Sequence, residues 1–228
     1  MDLKLPQNNL KSIWLGTTPY DKALQIQSQN WRELATQESL IDRRCETTSG
    51  VTLGLEHPSV ITLGKRGNAR DDIAAEQELL QSLDIKILTL PRGGQATLHS
   101  PGQLVIYPIV RLADFQLGVR QFVHLLETVT IEVLAGYNIC ATQKGNEPGL
   151  YTNRGKIAFF GLQISQGVST HGLAINVNND LSLFQLIRSC GVANEKFDSV
   201  ANYRIENPIS TQSLFERWSA EFYSKLLE

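Results

Sequence analysis

Cysteine is scarce in this sequence of 228 residues. Its three cysteines, Cys45, Cys140 and Cys190, form an odd and widely spaced set. Such a set does not support a disulfide framework, and none of its spacings matches a zinc site. We therefore predict a protein of a reducing compartment that holds no metal.

Long apolar runs are also missing. The longest, residues 104–110, is far shorter than the about 20 residues that a membrane-spanning helix needs. Residues 1–9 show neither the basic start nor the apolar stretch of a signal peptide. These absences predict a cytoplasmic protein with no membrane partner.

Neither sign of charge is in excess. The 21 lysines and arginines nearly balance 23 aspartates and glutamates, for a formal charge of −2. So small a charge creates no broad field that would attract nucleic acid or an anionic membrane. The hydrophobic residues, 42% of the chain, suffice for one sizeable core, and no repeat or linker marks a boundary. We predict a single domain covering residues 1–228.

Four segments place apolar residues at helical spacing. They are residues 20–34, 119–134, 180–190 and 210–227. Gly191 follows the third segment, and glycine is common just past a helix end. This pattern predicts that Cys190 lies at a helix carboxyl end, where partial negative charge opposes a thiolate and a nearby cation would be needed.

Six segments have strand character. They are residues 51–55, 60–63, 86–90, 104–110, 157–164 and 172–177. Several follow one another after short turns with Gly, Pro or Asn, which favours antiparallel pairing over a strictly alternating β-α-β order. The predicted class is α+β, with a mixed, largely antiparallel sheet flanked by helices.

Lys156 and Cys190 supply a base and a nucleophile in one chain. A thiol becomes a good nucleophile once it loses its proton, and a lysine ammonium held against it favours the thiolate. Lys156 follows a turn-like segment and precedes an apolar strand, where desolvation would favour its neutral amine. If the two side chains lie close together in space, acyl transfer through a thioester is the predicted chemistry.

Plainer interpretations exist for each of these residues. An unpaired cysteine usually packs as a small hydrophobe, and a lysine at a strand edge usually serves solubility. Cys140, in a strand-like apolar setting, is expected to be structural. Cys45 has basic neighbours that would favour its thiolate, but nothing else around it resembles a site.

Residues 92–103 are denser in special residues than an ordinary turn requires. Gly93 and Gly94 would let the backbone approach a ligand closely and leave N–H groups free to donate, although a hairpin with glycine turns is the alternative. The spacing does not match the glycine-rich phosphate loops. His99 and His171 could act as general acids or bases, or serve as hydrogen-bonded structural residues. From these residues alone, either a lysine or a histidine could activate Cys190.

Together these motifs resemble the lipoyl(octanoyl) transferase family, which shares a superfamily with the lipoate and biotin protein ligases. The matching segments are residues 92–103 with Tyr107 and Pro108, residues 156–161, residues 171–176, and Cys190 with Gly191. The resemblance implies the fold of the ligase catalytic domain. It also implies that Cys190 is the acyl-thioester nucleophile, and that Lys156 favours its thiolate and relays protons.

The resemblance further implies which residues line an acyl-chain pocket. They are Arg92, Gly93, Gly94, Gln95, Ala96, Thr97, Leu98, His99, Phe159, Phe160, Gly161, Gly172, Leu173 and Ala174, with His171 as an auxiliary residue. Three departures from the family pattern stand out. Ser100 replaces the usual glycine, Ser189 the usual proline, and Phe159 and Phe160 usually small residues.

The implied activity is that of an octanoyltransferase. Cys190 would take an octanoyl or lipoyl group from the phosphopantetheine arm of acyl carrier protein. A lysine of apo-lipoyl domains, in 2-oxoacid dehydrogenase complexes or the glycine cleavage H protein, would then accept it, as the first step of endogenous protein lipoylation. No cofactor, ATP or metal is expected beyond the carrier's phosphopantetheine, and we expect a monomer.

Three alternatives remain open at this point. An ATP-dependent lipoate or biotin protein ligase would hold an acyl-adenylate on the same loop without a nucleophilic cysteine, and the Cys190 motif and residues 99–103 argue against it. A transferase that moves octanoyl between two lipoyl domains would use similar chemistry. A non-catalytic module that binds lipoyl domains or acyl chains would leave the pairing of Lys156 with Cys190 unexplained.

Overall fold

The computed structural model describes residues 9–36, 48–145, 147–188, 195–205 and 208–228. Cys45, Ser189, Cys190 and Gly191 lie outside these ranges. The strands are β1 (Asn9–Thr17), β2 (Thr48–Glu56), β3 (Val60–Leu63), β4 (Lys86–Thr89), β5 (Ala96–His99), β6 (Gln103–Val110), β7 (Thr142–Lys144), β8 (Glu147–Tyr151), β9 (Lys156–Ser165) and β10 (Val168–Asn176). The helices are α1 (Tyr20–Thr36), α2 (Ala69–Asp72), α3 (Gln77–Ser82), α4 (Val119–Ala135) and α5 (Thr211–Leu226).

The described strands form two sheets. The larger has the order β1-β2-β6-β10-β9-β8-β7, in which only the β1–β2 pair is parallel. The smaller has the order β4-β3-β5, with β3 parallel to β4 and antiparallel to β5. Because β5 belongs to the small sheet and the next strand, β6, to the large one, the turn between them joins the two sheets.

Helices cover both faces of the large sheet. Strand β6 is buried along its whole length, and alternate residues point to opposite faces. On one face Leu104 and Ile106 pack with the apolar stripes of α4 and α5. On the other face Val105 and Tyr107 pack in a core that includes residues of α1. The indole N–H of Trp218 on α5 also donates to Thr130 on α4, at 2.9 Å.

The α+β class and the largely antiparallel mixed sheet are confirmed. Helices are found at three of the four predicted segments, as α1, α4 and α5, and all six predicted strands are present. On α5 the stripe with four-residue spacing is buried as Leu214, Trp218, Phe222 and Leu226. Strands β1, β5, β7 and β8 and the short helices α2 and α3 were not predicted.

The predicted helix over residues 180–190 is wrong in type and extent. A 3₁₀ helix covers Leu181–Leu186, and Asp180 caps it by accepting from the Ser182 N–H at 2.9 Å. Ile187 then pairs with Ile73, and the Arg188 N–H donates to the carbonyl of Asp72 on α2 at 2.7 Å. These contacts take the backbone out of the helix by residue 187, and the predicted helix end at Cys190 lies outside the described residues.

Cys140 is also not where the sequence predicts it. It lies in the connection between α4 and β7, outside any strand, and its side chain is exposed. Its neighbours Ile139 and Ala141 are buried instead. The alternation of burial along this connection places the thiol on the solvent side.

Candidate functional site

A pocket lies between the two sheets, where β5 and the loop before it face β9 and β10. Its empty volume is about 580 Å³, which includes open solvent at its mouth. The lining residues are Tyr20, Arg92, Gly94, Gln95, Ala96, Thr97, His99, Val105, Tyr107, Lys156, Phe159, Phe160, Gly161, His171, Gly172, Leu173 and Ala174. Apolar groups dominate this surface, which suits an alkyl chain.

Lys156 is a buried basic residue that lines this pocket. The first residue of β9, it is 1% exposed, so the interpretation as a solvated strand-edge lysine is wrong. Its Nζ lies 2.6 Å from Oε1 of Glu195, which also accepts a hydrogen bond from the hydroxyl of Tyr151 at 2.9 Å. The same Nζ lies 5.0 Å from the ring centre of Tyr151 and 5.7 Å from that of Phe159.

Two glycines beside Lys156 have no space for a side chain. Gly149 on β8 has φ +128°, and a Cβ there would lie 3.0 Å from Cε of Lys156 and 2.7 Å from the carbonyl oxygen of Ala158. Gly155 has φ +153°, and a Cβ there would overlap the backbone of Lys196. The Lys156 N–H donates to that same Lys196 carbonyl at 2.8 Å. Backbone contacts therefore hold Lys156 in place, in addition to the contacts that its side chain makes.

The Arg92 guanidinium holds the glycine loop together. It donates to the hydroxyl and carbonyl oxygens of Thr62 on β3, to the carbonyl of Gln95 and to that of Gly93. The Gly93 N–H in turn donates to the carbonyl of Leu162 on β9, at 2.9 Å. The loop is thus tied to both sheets, and Arg92 lines the pocket with its donors committed to protein oxygens.

The hydrogen-bonded pairing of β10 with β6 ends beside the pocket. It runs as far as Leu173 opposite Ile106 and stops before Pro108, which has no N–H to donate. The Ser169 hydroxyl bridges this gap by donating to the carbonyl of Pro108 at 2.7 Å and accepting from the N–H of Val110 at 3.0 Å. Proline in a central strand therefore opens the ladder where β10 meets the pocket.

His171 occupies the opened part of β10. Its φ is +54°, a left-handed conformation that non-glycine residues rarely adopt. Its N–H leaves the strand ladder and donates to Oε1 of Gln27 on α1 at 2.8 Å, while its buried Nδ1 has no hydrogen-bond partner among the described residues. Backbone strain at a pocket residue is typical of functional sites.

A buried chain of polar groups forms the floor of the pocket. His57 Nδ1 lies 2.7 Å from the carbonyl oxygen of Thr18, and its Nε2 lies 2.8 Å from the hydroxyl of Tyr107. Since a carbonyl can only accept, His57 carries its proton on Nδ1 and Tyr107 donates to Nε2. Burial raises the pKa of Tyr107, and it also raises the pKa of Tyr20, which is hydrogen-bonded to Tyr107.

The histidines around the pocket are neutral near pH 7. Burial lowers the pKa of His57 to about 4, that of His171 to about 4, and that of His99 to about 3. Charge repulsion from His57 lowers the pKa of His99 further, and the Arg92 guanidinium acts in the same direction on His171. His99 Nδ1 contacts Oε1 of Gln103 at 2.7 Å. These lowered pKa values favour the structural alternative that the sequence left open for His99 and His171.

The structure brings most of the predicted site residues to one pocket. Gly93 and Leu98 are the exceptions among the pocket residues predicted: Gly93 is bound to β9, and Leu98 is fully buried in the core of the small sheet. Ser100, one of the departures from the family pattern, is buried, and its hydroxyl has no hydrogen-bond partner in the described part of the chain. Cys190 lies outside the described residues, so its distance from Lys156 stays a prediction.

Six residues of the site were not predicted from the sequence, among them Val105 and Tyr107, which line the pocket. Tyr20 and His57 lie in the floor, and Tyr151 and Glu195 surround Lys156. His57 follows the predicted strand over residues 51–55 and precedes Pro58, but nothing in this local sequence marks it as a site residue. An acid five residues after Cys190 was a weak signal for Glu195.

Within the described ranges, His, Cys, Asp and Glu side chains form no group of three that would hold a metal ion. No helix in the described part of the chain is long and apolar enough to cross a membrane.

Sequence comparison gives matches over most of the chain. The family model of the lipoyl protein ligase A/B catalytic domain matches residues 29–223. An octanoyltransferase of Colwellia psychrerythraea is 39% identical over 186 residues, which are 82% of this chain and 74% of that protein. An octanoyltransferase of Alkaliphilus metalliredigens is 34% identical over 225 residues, 96% of this chain and 98% of that protein.

Structure comparison gives a lipoate protein ligase. A chain of the bi-partite lipoate protein ligase from Thermoplasma acidophilum, solved with its E2 lipoyl domain, superposes with a TM-score of 0.68. The sequences are 14% identical, and the superposition covers 96% of this chain and 83% of that one. At this identity the likeness shows the fold.

Proposed function

Because the chain belongs to the lipoyl protein ligase A/B catalytic domain family, we propose that it is an octanoyltransferase working through a thioester on Cys190. The donor is an octanoyl or lipoyl group on the phosphopantetheine arm of acyl carrier protein. The acceptor is a lysine of a lipoyl domain, in 2-oxoacid dehydrogenase complexes or the glycine cleavage H protein. The site of action is the cytoplasm.

The observation that supports this function best is the buried amine of Lys156 at an apolar pocket. The pocket walls on β9 and β10 offer an alkyl chain mostly carbon surface. At about 0.8 kcal/mol per buried CH₂, an eight-carbon chain gains several kcal/mol of binding there. A lysine buried next to such a pocket is suited to handle a proton at the chain's reactive end.

The reaction balances with one proton carried by Lys156. The Cys190 thiolate attacks the donor carbonyl, the carbon–sulfur bond to the carrier breaks, and the carrier thiol leaves with the proton of Lys156. The neutral amine of the acceptor lysine then attacks the acyl-enzyme. Its proton passes to Lys156, and the Cys190 thiolate leaves. A thioester has become a more stable amide, so neither ATP nor a metal is needed.

Intact mass spectrometry tests this function. The protein is incubated with octanoyl-acyl carrier protein without ATP, before and after hydroxylamine, alongside Cys190→Ser and Lys156→Ala. We expect a single octanoyl adduct that hydroxylamine removes, that is absent from the Cys190 variant and that forms slowly in the Lys156 variant.

A second arm separates the ligase and the binding module from the transferase. Acyl transfer that appears only with ATP and free octanoate or lipoate would establish a ligase. Binding of lipoyl domains without turnover, unchanged in Cys190→Ser, would establish a binding module. An adduct formed from octanoyl-lipoyl domain but not from the carrier would mean transfer between lipoyl domains.

A further inference from the structure

A buried carboxylate is paired with the Lys156 amine. The Glu195 side chain is 6% exposed, and its Oε1 lies 2.6 Å from Nζ of Lys156, which is 1% exposed. The hydroxyl of Tyr151 donates to the same oxygen at 2.9 Å. The other oxygen, Oε2, is buried and accepts no hydrogen bond from the described residues. The attraction of this carboxylate is therefore directed at Lys156 and Tyr151.

Three other charged residues of the described ranges, Lys144, Asp198 and Arg92, have partners of their own. Lys144 on β7 lies over the Tyr151 ring, at 5.3 Å from its centre. The Asp198 carboxylate accepts hydrogen bonds from Thr152, Ser199, Asn202 and Tyr203, which hold the pKa of Asp198 low. The Arg92 guanidinium, across the pocket, is bound to Thr62 and to loop carbonyls. Glu195 is thus the carboxylate in direct contact with Lys156 among the described residues.

The proposed reaction requires Lys156 to change charge twice. Lys156 is an ammonium before acylation and a neutral amine in the acyl-enzyme, and it becomes an ammonium again when the acceptor amine gives up its proton. An opposite charge within hydrogen-bond distance favours the ammonium over the neutral amine. A residue at this position therefore sets how strongly Lys156 binds the proton that the second half-reaction delivers.

We propose that Glu195 is a positioning residue for acyl transfer, which orients Lys156 and sets its proton affinity. This inference rests on the proposed function. Glu195 follows Cys190 by five residues in the sequence, so one segment supplies both the nucleophile and the counter-charge of its base. Tyr151 weakens the attraction between Glu195 and the ammonium of Lys156, because its O–H group donates to the same carboxylate oxygen and disperses the charge there.

The test is the pH dependence of the second half-reaction. Acyl-enzyme is isolated, and single-turnover transfer to a lipoyl domain is followed from pH 6 to 10 in the wild type and in Glu195→Gln. The acceptor amine titrates identically in both. We expect the rate of the variant to rise at a pH lower by about one unit or more, with a plateau reduced severalfold because a weaker base accepts the proton.

Two further variants keep the test decisive. Glu195→Asp restores the negative charge, so the midpoint of its pH–rate profile should return toward the wild-type value. Tyr151→Phe leaves the carboxylate charge undispersed, so the midpoint should move the other way, to higher pH. This variant answers the question even if Glu195→Gln does not fold. Glu78→Gln, at an exposed position on α3, is the matched control and should match the wild type.

The outcomes separate the two proposals. A wild type that forms no acyl-enzyme removes the proposed function and this inference with it. A wild type that turns over, together with Glu195 and Tyr151 variants that lower thermal stability without moving the midpoint, overturns only the role of Glu195. In that case the ion pair is structural.

Discussion

The backbone N–H of His171 donates its hydrogen bond to the side chain of Gln27, 2.8 Å away on helix α1. The proline opposite this part of β10, Pro108, leaves the ladder of β6 open, so His171 can turn to φ +54°. Gln27 lies on the otherwise apolar face of α1 and is 2% exposed. One amide on the buried face of a helix therefore stabilises a strained residue that lines the pocket.

Replacing Gln27 by Leu should destabilise the protein by about 1–2 kcal/mol. The variant leaves the His171 N–H buried without an acceptor, although it also removes Nε2 of Gln27, which is buried and has no partner within the described ranges, and this offsets part of the cost. Urea unfolding measures the change. Acyl-enzyme formation at low donor concentration should also slow, because His171 lines the pocket. Gln25→Leu, at an exposed position on the same helix, is the control.

This contact shows what sequence patterns predict and what they miss. Helical spacing was enough to locate α1 and to place Gln27 on its inner face, because periodicity determines which residues point to the core. It could not supply the partner of Gln27, since residues 27 and 171 meet only once the sheet has formed. The same holds for Lys156 and Glu195, and for the floor in which His57 meets Tyr107.

Short elements and connections also limited what could be predicted from the sequence. Strands β5 and β8, of four and five residues, were missed, although β3 and β4, of four residues each, were predicted from their strand-like composition. The 3₁₀ helix over Leu181–Leu186 has an apolar side like that of an α-helix, but its end is determined by contacts with Ile73 and Asp72, far away in sequence. Lys156, by contrast, was identified through its local context of a glycine turn followed by an apolar strand.

Stability should fall as the pH is lowered from 7 to 5. Burial places the pKa of His57 and of His171 at about 4 and that of His99 at about 3, below the unfolded value of 6.5. The unfolded chain therefore binds more protons in this window, so stability rises with pH up to about 7 and is level above it. Each histidine lowers the free energy of unfolding at pH 5 by about 2 kcal/mol.

Urea unfolding at pH 5, 6, 7 and 8 checks this dependence. His57→Gln should be less stable than the wild type at pH 7 but should lose about 2 kcal/mol less on going to pH 5. His124, exposed on α4, is the matched control, and His124→Gln should keep the full pH dependence. Equal curves for the wild type and His57→Gln would show that His57 is not held neutral by the fold.

Gly172 and Gly161 face each other across β10 and β9 but should differ in their tolerance of a methyl group. A Cβ on Gly172 would overlap the carbonyl oxygen of Ile106 and lie 2.7 Å from Cδ of Pro108. A Cβ on Gly161 would meet Cδ of Arg92 only at 3.4 Å, an ordinary contact. Gly172→Ala should cost about 3 kcal/mol or more by forcing β10 from β6, and Gly161→Ala less than about 1 kcal/mol.

Thermal unfolding of the two alanine variants side by side checks this difference. Both glycines line the pocket, so activity alone would not separate them. Equal melting temperatures would mean that β6 and β10 can part at Pro108 without cost.

Phe159 should limit the length of the acyl chain. Its ring lines the pocket on one side and stacks on Phe184 on the other, with centres 5.3 Å apart and planes 9° from parallel. Phe159→Leu shortens this wall and opens the pocket toward the core of the small sheet. Each methylene that then finds room gains about 0.8 kcal/mol, or a factor of about four in binding. The ratio of decanoyl to octanoyl transfer should rise accordingly.

Phe184→Leu separates a change in pocket length from a loss of packing. Phe184 belongs to the same stack, which Phe197 continues at 4.2 Å, but it does not line the pocket. Its substitution should lower the melting temperature and leave the decanoyl-to-octanoyl ratio unchanged. The preference for chain length is measured by letting decanoyl- and octanoyl-acyl carrier protein compete for one lipoyl domain. The ratio of the two products gives this preference without separate rate constants. A ratio that shifts equally in both variants would mean that the stack as a whole, and not the Phe159 ring, limits the chain.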